Sequence, residues 1–460
     1  MLPPFDPWLS GLAAAEVVSA SHASPEVLHD LQGRRLGRLV ASARRDSPLY
    51  HRLLHGLGAA PHLHELPVTH KRDLMRDFDE WVTDRAVRLE DLRRFIADAD
   101  HIAQPYLGRY MVWQSSGSCG EPAIFVQDIG AMAVYDALEA MRRPWPLNRL
   151  LDPWYTTDRI VFVGAIGGHF ASIVATQRLR FLNPIMSTGL HDISFLQPIG
   201  DMVAQLHALA PTIVSTYPSA AMLLAEARLA GRLHIDPREV WTGGETLAPA
   251  MRKFIGQAFH CPVVDSYGAS EFLSLASECR SGQLHVNNDW AILESVDERG
   301  RPVPDGEMGA TVLLTNLANA VQPLIRYDLG DRIKLHARGC NCGSHLPVVE
   351  VLGRSDDILR LGIEGHTVSL LPLALTTVLE EEGGLSDFQL EQIGPQDLRL
   401  SVPARGEAAS QSLHRARAAL AGFLNGQGLR GVHVRCRSGH RPTQGPGGKV
   451  RRVIALAKSG

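Results

Sequence analysis

Between about residues 108 and 350, short apolar runs alternate with helical stretches, and that rhythm confines the chain to an α/β fold. RIVFVGA (159–165), PTIVSTYPS (211–219), PVVDSYG (262–268) and ATVLLTNL (310–317) have the length and β-branched content of strands, whereas AAMLLAEARLAG (220–231) carries helical spacing. The turn-rich run ERGRPVPDGEMG (298–309) reads as a loop before a strand. Residues 1–100 read as mainly helical, with HDLQGRRLGRLVASARR (29–45) showing helix-period apolar spacing and basic residues on its outer face. Beyond about residue 353 the pattern changes. SDFQLEQIG (386–394), LRLSVP (398–403) and VHVRCRS (432–438) read as strands around a helix at about 409–424, a small α+β unit. A chain of 460 residues is too long for one ordinary core, so the expected domains are 1–353 and 354–460.

Within the α/β region, an apolar approach (Tyr110 to Trp113) and a β-prone exit (Ala123 to Val126) flank the small polar loop QSSGSCGEP, Gln114 to Pro122. This predicts strand, turn, strand. Gly117 and Gly120 allow close backbone approach to a bulky anion, while Ser115, Ser116 and Ser118 add hydroxyl donors. The loop matches neither GxxxxGK[ST] nor GxGxxG, and taken alone it is also compatible with an ordinary surface turn.

A formal net charge of −3 gives no electrostatic reason to expect nucleic acid or an anionic membrane as partner. No apolar run reaches about 18 residues, so no membrane span is expected. The start MLPPFDPWLSGLAAAEVV has no basic n-region, which leaves the cytoplasm as the expected location. The six cysteines are too sparse for a disulfide scaffold. Cys340 and Cys342 form a glycine-flanked CxC knuckle, and Cys279 with His285 lies upstream in CRSGQLH. A closed set of three thiolates and one imidazole suits structural Zn²⁺; the competing reading is unrelated thiols and a surface histidine.

Five more segments share one order with the phosphate-like loop. SSGSCGEP is similar to SSGTTGKP, WTGGETLAPAMR (241–252) to an adenine-contacting segment, DSYGASE (265–271) to YGxTE, and QPLIRYDLGDR (322–332) to PLIRYRTGD. VLGRSDDIL (351–359) is similar to the GRSDDM hinge and GPGGKVRRV (445–453) to EGKxxRV. Over roughly residues 35–455 the sequence thus resembles the adenylate-forming ligases, and among them the phenylacetate-CoA ligase branch. That resemblance implies a large N-terminal adenylate-forming domain of mixed β-sheets and helices, followed by a small mobile α+β cap. It also implies ATP-dependent activation of a carboxylic acid to an acyl-adenylate, with transfer to a thiol, coenzyme A first among acceptors.

By the same resemblance, Ser115, Ser116, Gly117, Ser118 and Gly120 hold the pyrophosphate end of ATP. Gly243, Gly244 and Glu245 line the adenine, Tyr267 stacks near the base between Ser266 and Gly268, Asp331 accepts the ribose hydroxyls, and Arg354 touches the nucleotide. Glu271 holds Mg²⁺ and Lys449 acts on the reacting carboxylate, with Asp356 in the hinge. His169, Phe170, Tyr217, Pro218 and Ala269 are candidates around the acyl group, and the small Gly268 and Ala269 favour an aromatic or arylacetic acid. Members of the branch often carry ECxxxxxLH with CxCG, which supports zinc at Cys279, His285, Cys340 and Cys342.

Departures keep alternatives open. Glu121 stands where the family has Lys or Arg, Cys119 replaces Thr, and Asp328 and Leu329 replace an Arg-Thr pair. LRLGIEGHTVSLLPL (359–373) lacks the RGxNVFP sequence that usually follows the hinge. The acceptor could then be coenzyme A, a carrier-protein phosphopantetheine or an amine, and a catalytically impaired ligand-binding or scaffold homologue is a further alternative. A homodimer is the candidate assembly.

Overall fold

A computed structural model of the chain describes residues 3–58, 61–115, 122–143, 157–338, 340–352, 358–363, 366–385, 387–440 and 451–456. The N-terminal part is helical where local signals favour helix. Pro25–Asp46 begins with Ser24 accepting from the Val27 amide and Pro25 in the first turn, and buries Leu28, Leu39, Val40 and Ala43 on one face. It packs into the core shared by residues 13–349.

The first two strands, β1 (Met111–Gln114) and β2 (Ile124–Gln127), pair antiparallel with Gln114 opposite Ile124. They flank the serine-glycine loop, whose residues 116–121 lie outside the described residues. Ser115 closes the base of this hairpin: its amide donates to the Ala123 carbonyl (2.8 Å), and its Oγ accepts from the Ala123 amide (3.0 Å).

The central sheet is built from β3 (Ile160–Gly164), β4 (Leu190–Ser194), β5 (Ile213–Thr216), β6 (Glu239–Gly243), β7 (Val263–Ala269), β8 (Phe272–Glu278) and β9 (Leu284–Val286). A three-stranded sheet follows from β10 (Ala291–Val296), β11 (Thr311–Asn316) and β12 (Tyr327–Asp328), and then β13 (Arg332–His336) and β14 (Val348–Leu352) return to the central sheet. Its nine strands run β13-β14-β9-β8-β7-β6-β5-β3-β4. The half β4-β3-β5-β6-β7 is parallel, and its strands are near-continuous apolar runs because helices such as Pro218–Leu229 and Pro249–Phe259 pack against them in one core. From β7 onward the pairing is antiparallel. β7 is therefore where the sheet changes character, the place where ligands of open α/β sheets collect.

Downstream, β15 (Leu359–Ile363) and β16 (His366–Leu370) form a hairpin. β17 (Gln389–Gly394), β18 (Asp397–Val402), β19 (His433–Ser438) and β20 (Val453–Ile454) form a sheet ordered β19-β18-β17-β20 against the helix Glu407–Gly426. These elements bury a core of their own, drawn from residues 359–453. Leu371 and Ala374 instead join the core of the parallel half, Arg360 pairs with Glu226 (2.6 Å), and Gln427 donates to the Leu196 carbonyl (2.6 Å). No helix among the described residues is long and apolar enough to cross a membrane.

Candidate active site

A continuous cavity of ≈ 2770 Å³ opens at the carboxyl ends of β6 and β7. That is several times the volume of about 300–1,000 Å³ that usually encloses one small ligand. Gly243, Gly244, Glu245, Ser266, Tyr267, Gly268, Ala269, Glu271 and Asp331 all line it. They come from two segments that end adjacent parallel strands and from the loop between β12 and β13.

The polar geometry is tightly linked. The Tyr267 hydroxyl donates to Asp331 Oδ2 (2.9 Å), and the Tyr327 hydroxyl donates to Glu271 Oε1 (3.0 Å). Asn316 Nδ2 donates to the Glu271 carbonyl (3.0 Å), tying that residue to β11. Burial raises the Glu271 pKa above the usual carboxylate range, and the Asp331 charge adds to this. The Tyr327 hydrogen bond and the Lys71 charge pull it back. Burial also pushes the Tyr267 phenol well above its ordinary value, with Asp331 beside it.

The short residues of the YGAS segment have a steric cause. Between Tyr267 and Ala269 the β7–β8 pairing shifts register, and a Cβ on Gly268 would lie 2.1 Å from the Leu273 carbonyl oxygen. Only glycine fits. At Gly244 the backbone is left-handed (φ +75°), with the Tyr217 ring 2.9 Å from where a Cβ would stand. Glu245 itself turns to the helix Pro218–Leu229, where its two oxygens accept from the Ser219 amide and hydroxyl at 2.9 Å each. It caps that helix as well as lining the cavity.

One strand inward, Thr242 Oγ1 donates to Asp265 Oδ1 (2.7 Å). Burial, assisted by the neighbouring Glu278, pushes Asp265 up to about 6, against the Thr242 hydrogen bond and the Arg252 charge. Arg252 in turn holds both Glu278 oxygens at 2.9 Å.

Of the acyl candidates, Phe170, Tyr217 and Ala269 line the cavity, with Phe162 (6.3 Å) and Phe195 (5.9 Å) around the Tyr217 ring. His169 and Pro218 are not among the residues that line the cavity. His169 is 1% exposed and packs 5.9 Å from Phe95, while its carbonyl accepts from the Gln114 amide; burial lowers its pKa. Pro218 is a buried first-turn residue of its helix. Ser116, Gly117, Ser118, Gly120, Arg354, Asp356 and Lys449 lie outside the described residues. Arg451, two positions after Lys449, lines the cavity.

Cys279, His285, Cys340 and Cys342 do converge. Their ligand atoms all lie within 4.8 Å of one another, with Cys279 Sγ 3.6 Å from Cys340 Sγ and Cys342 Sγ 3.4 Å from His285 Nε2. Zn–S bonds of about 2.3 Å imply tetrahedral edges of roughly 3.8 Å, so the cluster is near the required size. His285 Nδ1 donates to the Leu346 carbonyl (2.8 Å), which leaves Nε2 turned to the thiols in its lone-pair form. The donor set fits zinc.

Sequence reasoning gave no role to Lys71, which lines the cavity. The only local signal is the basic run HKR at 70–72.

No family model matches the chain. It is 27% identical to the phenylacetate-coenzyme A ligase of Thermus thermophilus, over 94% of this chain and 97% of that protein. Along nearly its whole length the chain is thus similar to a phenylacetate-coenzyme A ligase. A shorter similarity, 24% identity over 34% of each chain, links it to Protein CapK of Staphylococcus aureus. In fold, the chain is similar to 2-hydroxyisobutyryl-CoA ligase in complex with 2-HIB-AMP and CoA. The TM-score is 0.58 at 21% identity, covering 95% of this chain and 91% of that one; an open conformation of the same ligase gives 0.51.

Proposed function

We propose that the protein activates a carboxylic acid with ATP and passes the acyl group to a thiol, with coenzyme A as acceptor. The observation that carries this reading is the pair of tyrosine-held carboxylates, Tyr267 to Asp331 and Tyr327 to Glu271, at the end of β7 in a cavity large enough for a nucleotide and an acid together. Full-length similarity to a phenylacetate-coenzyme A ligase supports the reaction class.

In the first half-reaction a substrate carboxylate oxygen attacks the α-phosphorus of ATP, the bond to the bridging oxygen breaks, and pyrophosphate leaves. Asp331, with Oδ2 already accepting from Tyr267, presents its remaining lone pairs to the ribose hydroxyls. Gly243, Gly244 and Ser266 line the adenine side. Glu271 would hold Mg²⁺ as a hard oxygen ligand, and the ion would supply charge neutralisation of the phosphates. Ser115, Ser116, Gly117, Ser118 and Gly120 follow the pyrophosphate, and Lys449 and Arg354 complete the site from residues 354–460, acting as a cap that turns at Asp356. In the second half-reaction the thiol sulfur attacks the acyl carbonyl and AMP leaves.

An aromatic or arylacetic acid is the proposed substrate class, because Tyr217, Phe170 and Ala269 offer ring faces and clearance on the acyl side. Cys279, His285, Cys340 and Cys342 would hold one structural Zn²⁺, leaving no position for water.

The test is pyrophosphate release with a panel of aryl, arylacetic and short aliphatic carboxylates, with and without coenzyme A. Acid-dependent release with an aryl preference, and thioester only when coenzyme A is present, supports the proposal. No release with any acid overturns it.

A further inference from the structure

Among the described residues, five other than glycine have a left-handed backbone: Ala103, Leu107, Ala210, His260 and Arg326. The first four stand in turns or at helix C-termini, where that conformation is common. Arg326 (φ +46°) instead immediately precedes β12, and the next residue, Tyr327, is the one that donates to Glu271. A left-handed backbone is unfavourable for a residue with a long side chain, so something must hold it there.

The backbone is fixed on both sides. The Arg326 amide donates to Thr315 Oγ1 (3.0 Å) and its carbonyl accepts from the Thr69 amide (3.0 Å). Thr69 also clamps the flanking residues, its carbonyl accepting from the Asp328 amide (3.0 Å) and its Oγ1 donating to the Ile325 carbonyl (3.0 Å). The guanidinium uses all five of its donors. Nε and Nη2 donate to the two oxygens of Glu294 (3.0 and 3.1 Å), Nη2 also to the Gly300 carbonyl (3.1 Å), and Nη1 to the carbonyls of Leu66 (2.9 Å) and His64 (3.4 Å). This side chain is 6% exposed and does not line the cavity. Its bonds join the N-terminal segment, β10 and β11 at the one residue whose φ and ψ set the direction in which Tyr327 leaves the chain.

We propose that Arg326 is a positioning residue for the metal-dependent step: its guanidinium holds a strained backbone that aims the Tyr327 hydroxyl at Glu271. This rests on the ATP-dependent reading above. With one Glu271 oxygen held by Tyr327, the other keeps its lone pairs for Mg²⁺, and partners of a ligating carboxylate set its orientation.

The test compares wild type, Arg326→Lys, Arg326→Met, Tyr327→Phe and the Arg326→Lys, Tyr327→Phe double variant by titration calorimetry with MgATP and with AMP free of metal. AMP is the control because Asp331, the proposed ribose ligand, is held by Tyr267 instead. MgATP should bind about tenfold more weakly in each single variant, with AMP changed less than about twofold. The double variant should be no weaker than Tyr327→Phe, because Arg326 acts through Tyr327. Unchanged MgATP affinity in either single variant, additive losses in the double variant, or equal weakening of AMP overturns the assignment. If Arg326→Met fails to fold, Arg326→Lys, which keeps a cation beside Glu294, decides. A wild type that binds neither MgATP nor AMP overturns the functional reading itself.

Discussion

The Tyr267 hydroxyl and Asp331 meet at 2.9 Å across the gap between β7 and the loop that precedes β13. The bond fixes the carboxylate proposed to receive the ribose, so Tyr267→Phe should act on nucleotide binding more than on chemistry. Loss of a hydrogen bond to a charged group costs about 1.5 kcal/mol, and KM for ATP should rise about tenfold while kcat changes little. Steady-state kinetics checks this, and a fall in kcat with KM unchanged would remove Asp331 from the ribose.

Gly268 has no room for a methyl group. Gly268→Ala must move Leu273 or open the register shift beside Tyr267, and it should destabilise by about 1–3 kcal/mol while weakening adenylation through displaced Tyr267. Thermal unfolding together with pyrophosphate release tests both effects.

Asp265 provides the pH signature. Its folded pKa, pushed up to about 6, lies above the ordinary carboxylate value, so between about pH 4 and 6 the folded state holds a proton that the unfolded chain has released. Stability from this group is present at low pH and lost as pH rises through 6. Asp265→Asn keeps an acceptor for Thr242 without the charge, and should gain on wild type by roughly 2 kcal/mol between pH 4 and 7. Denaturant midpoints across that range would show it; a constant difference would contradict it.

Lys449→Ala should reduce single-turnover acyl-adenylate formation at least about a hundredfold, with MgATP affinity nearly unchanged, since a cation that meets the reacting carboxylate acts on the transition state. Unchanged adenylation would reassign the cap.

Metal analysis addresses the cysteine cluster. Protein made with zinc available should contain close to one equivalent, and Cys340→Ser with Cys342→Ser should remove it and lower the melting temperature by about 5 °C or more. Activity should fall only as far as stability does. Wild type with little zinc, or a double variant that retains it, rules the site out.

Much of this was legible in order of appearance and little of it in space. The apolar runs at 159–165, 211–219 and 262–268 became β3, β5 and β7 because a strand buried on both faces writes itself as continuous hydrophobicity. CxC with CRSGQLH announced a cluster because its ligand types are chemically distinctive. The burial of His169 was not legible, since a histidine in a glycine-rich stretch looks solvated, whereas it sits beside the bridge between Gln114 and Phe170. The capping bonds of Glu245 to Ser219 were invisible because they join residues 26 positions apart in sequence.

β12 is only two residues long, paired with Leu313 and Leu314 on one edge and with Thr69 on the other. Were the first seventy-five residues removed, the Arg326 carbonyl and the Asp328 amide would face solvent beside apolar Ile325 and Tyr327. An uncovered strand edge of that kind recruits other strands. Shortened chains are therefore expected to self-associate as well as to lose activity, which light scattering would show.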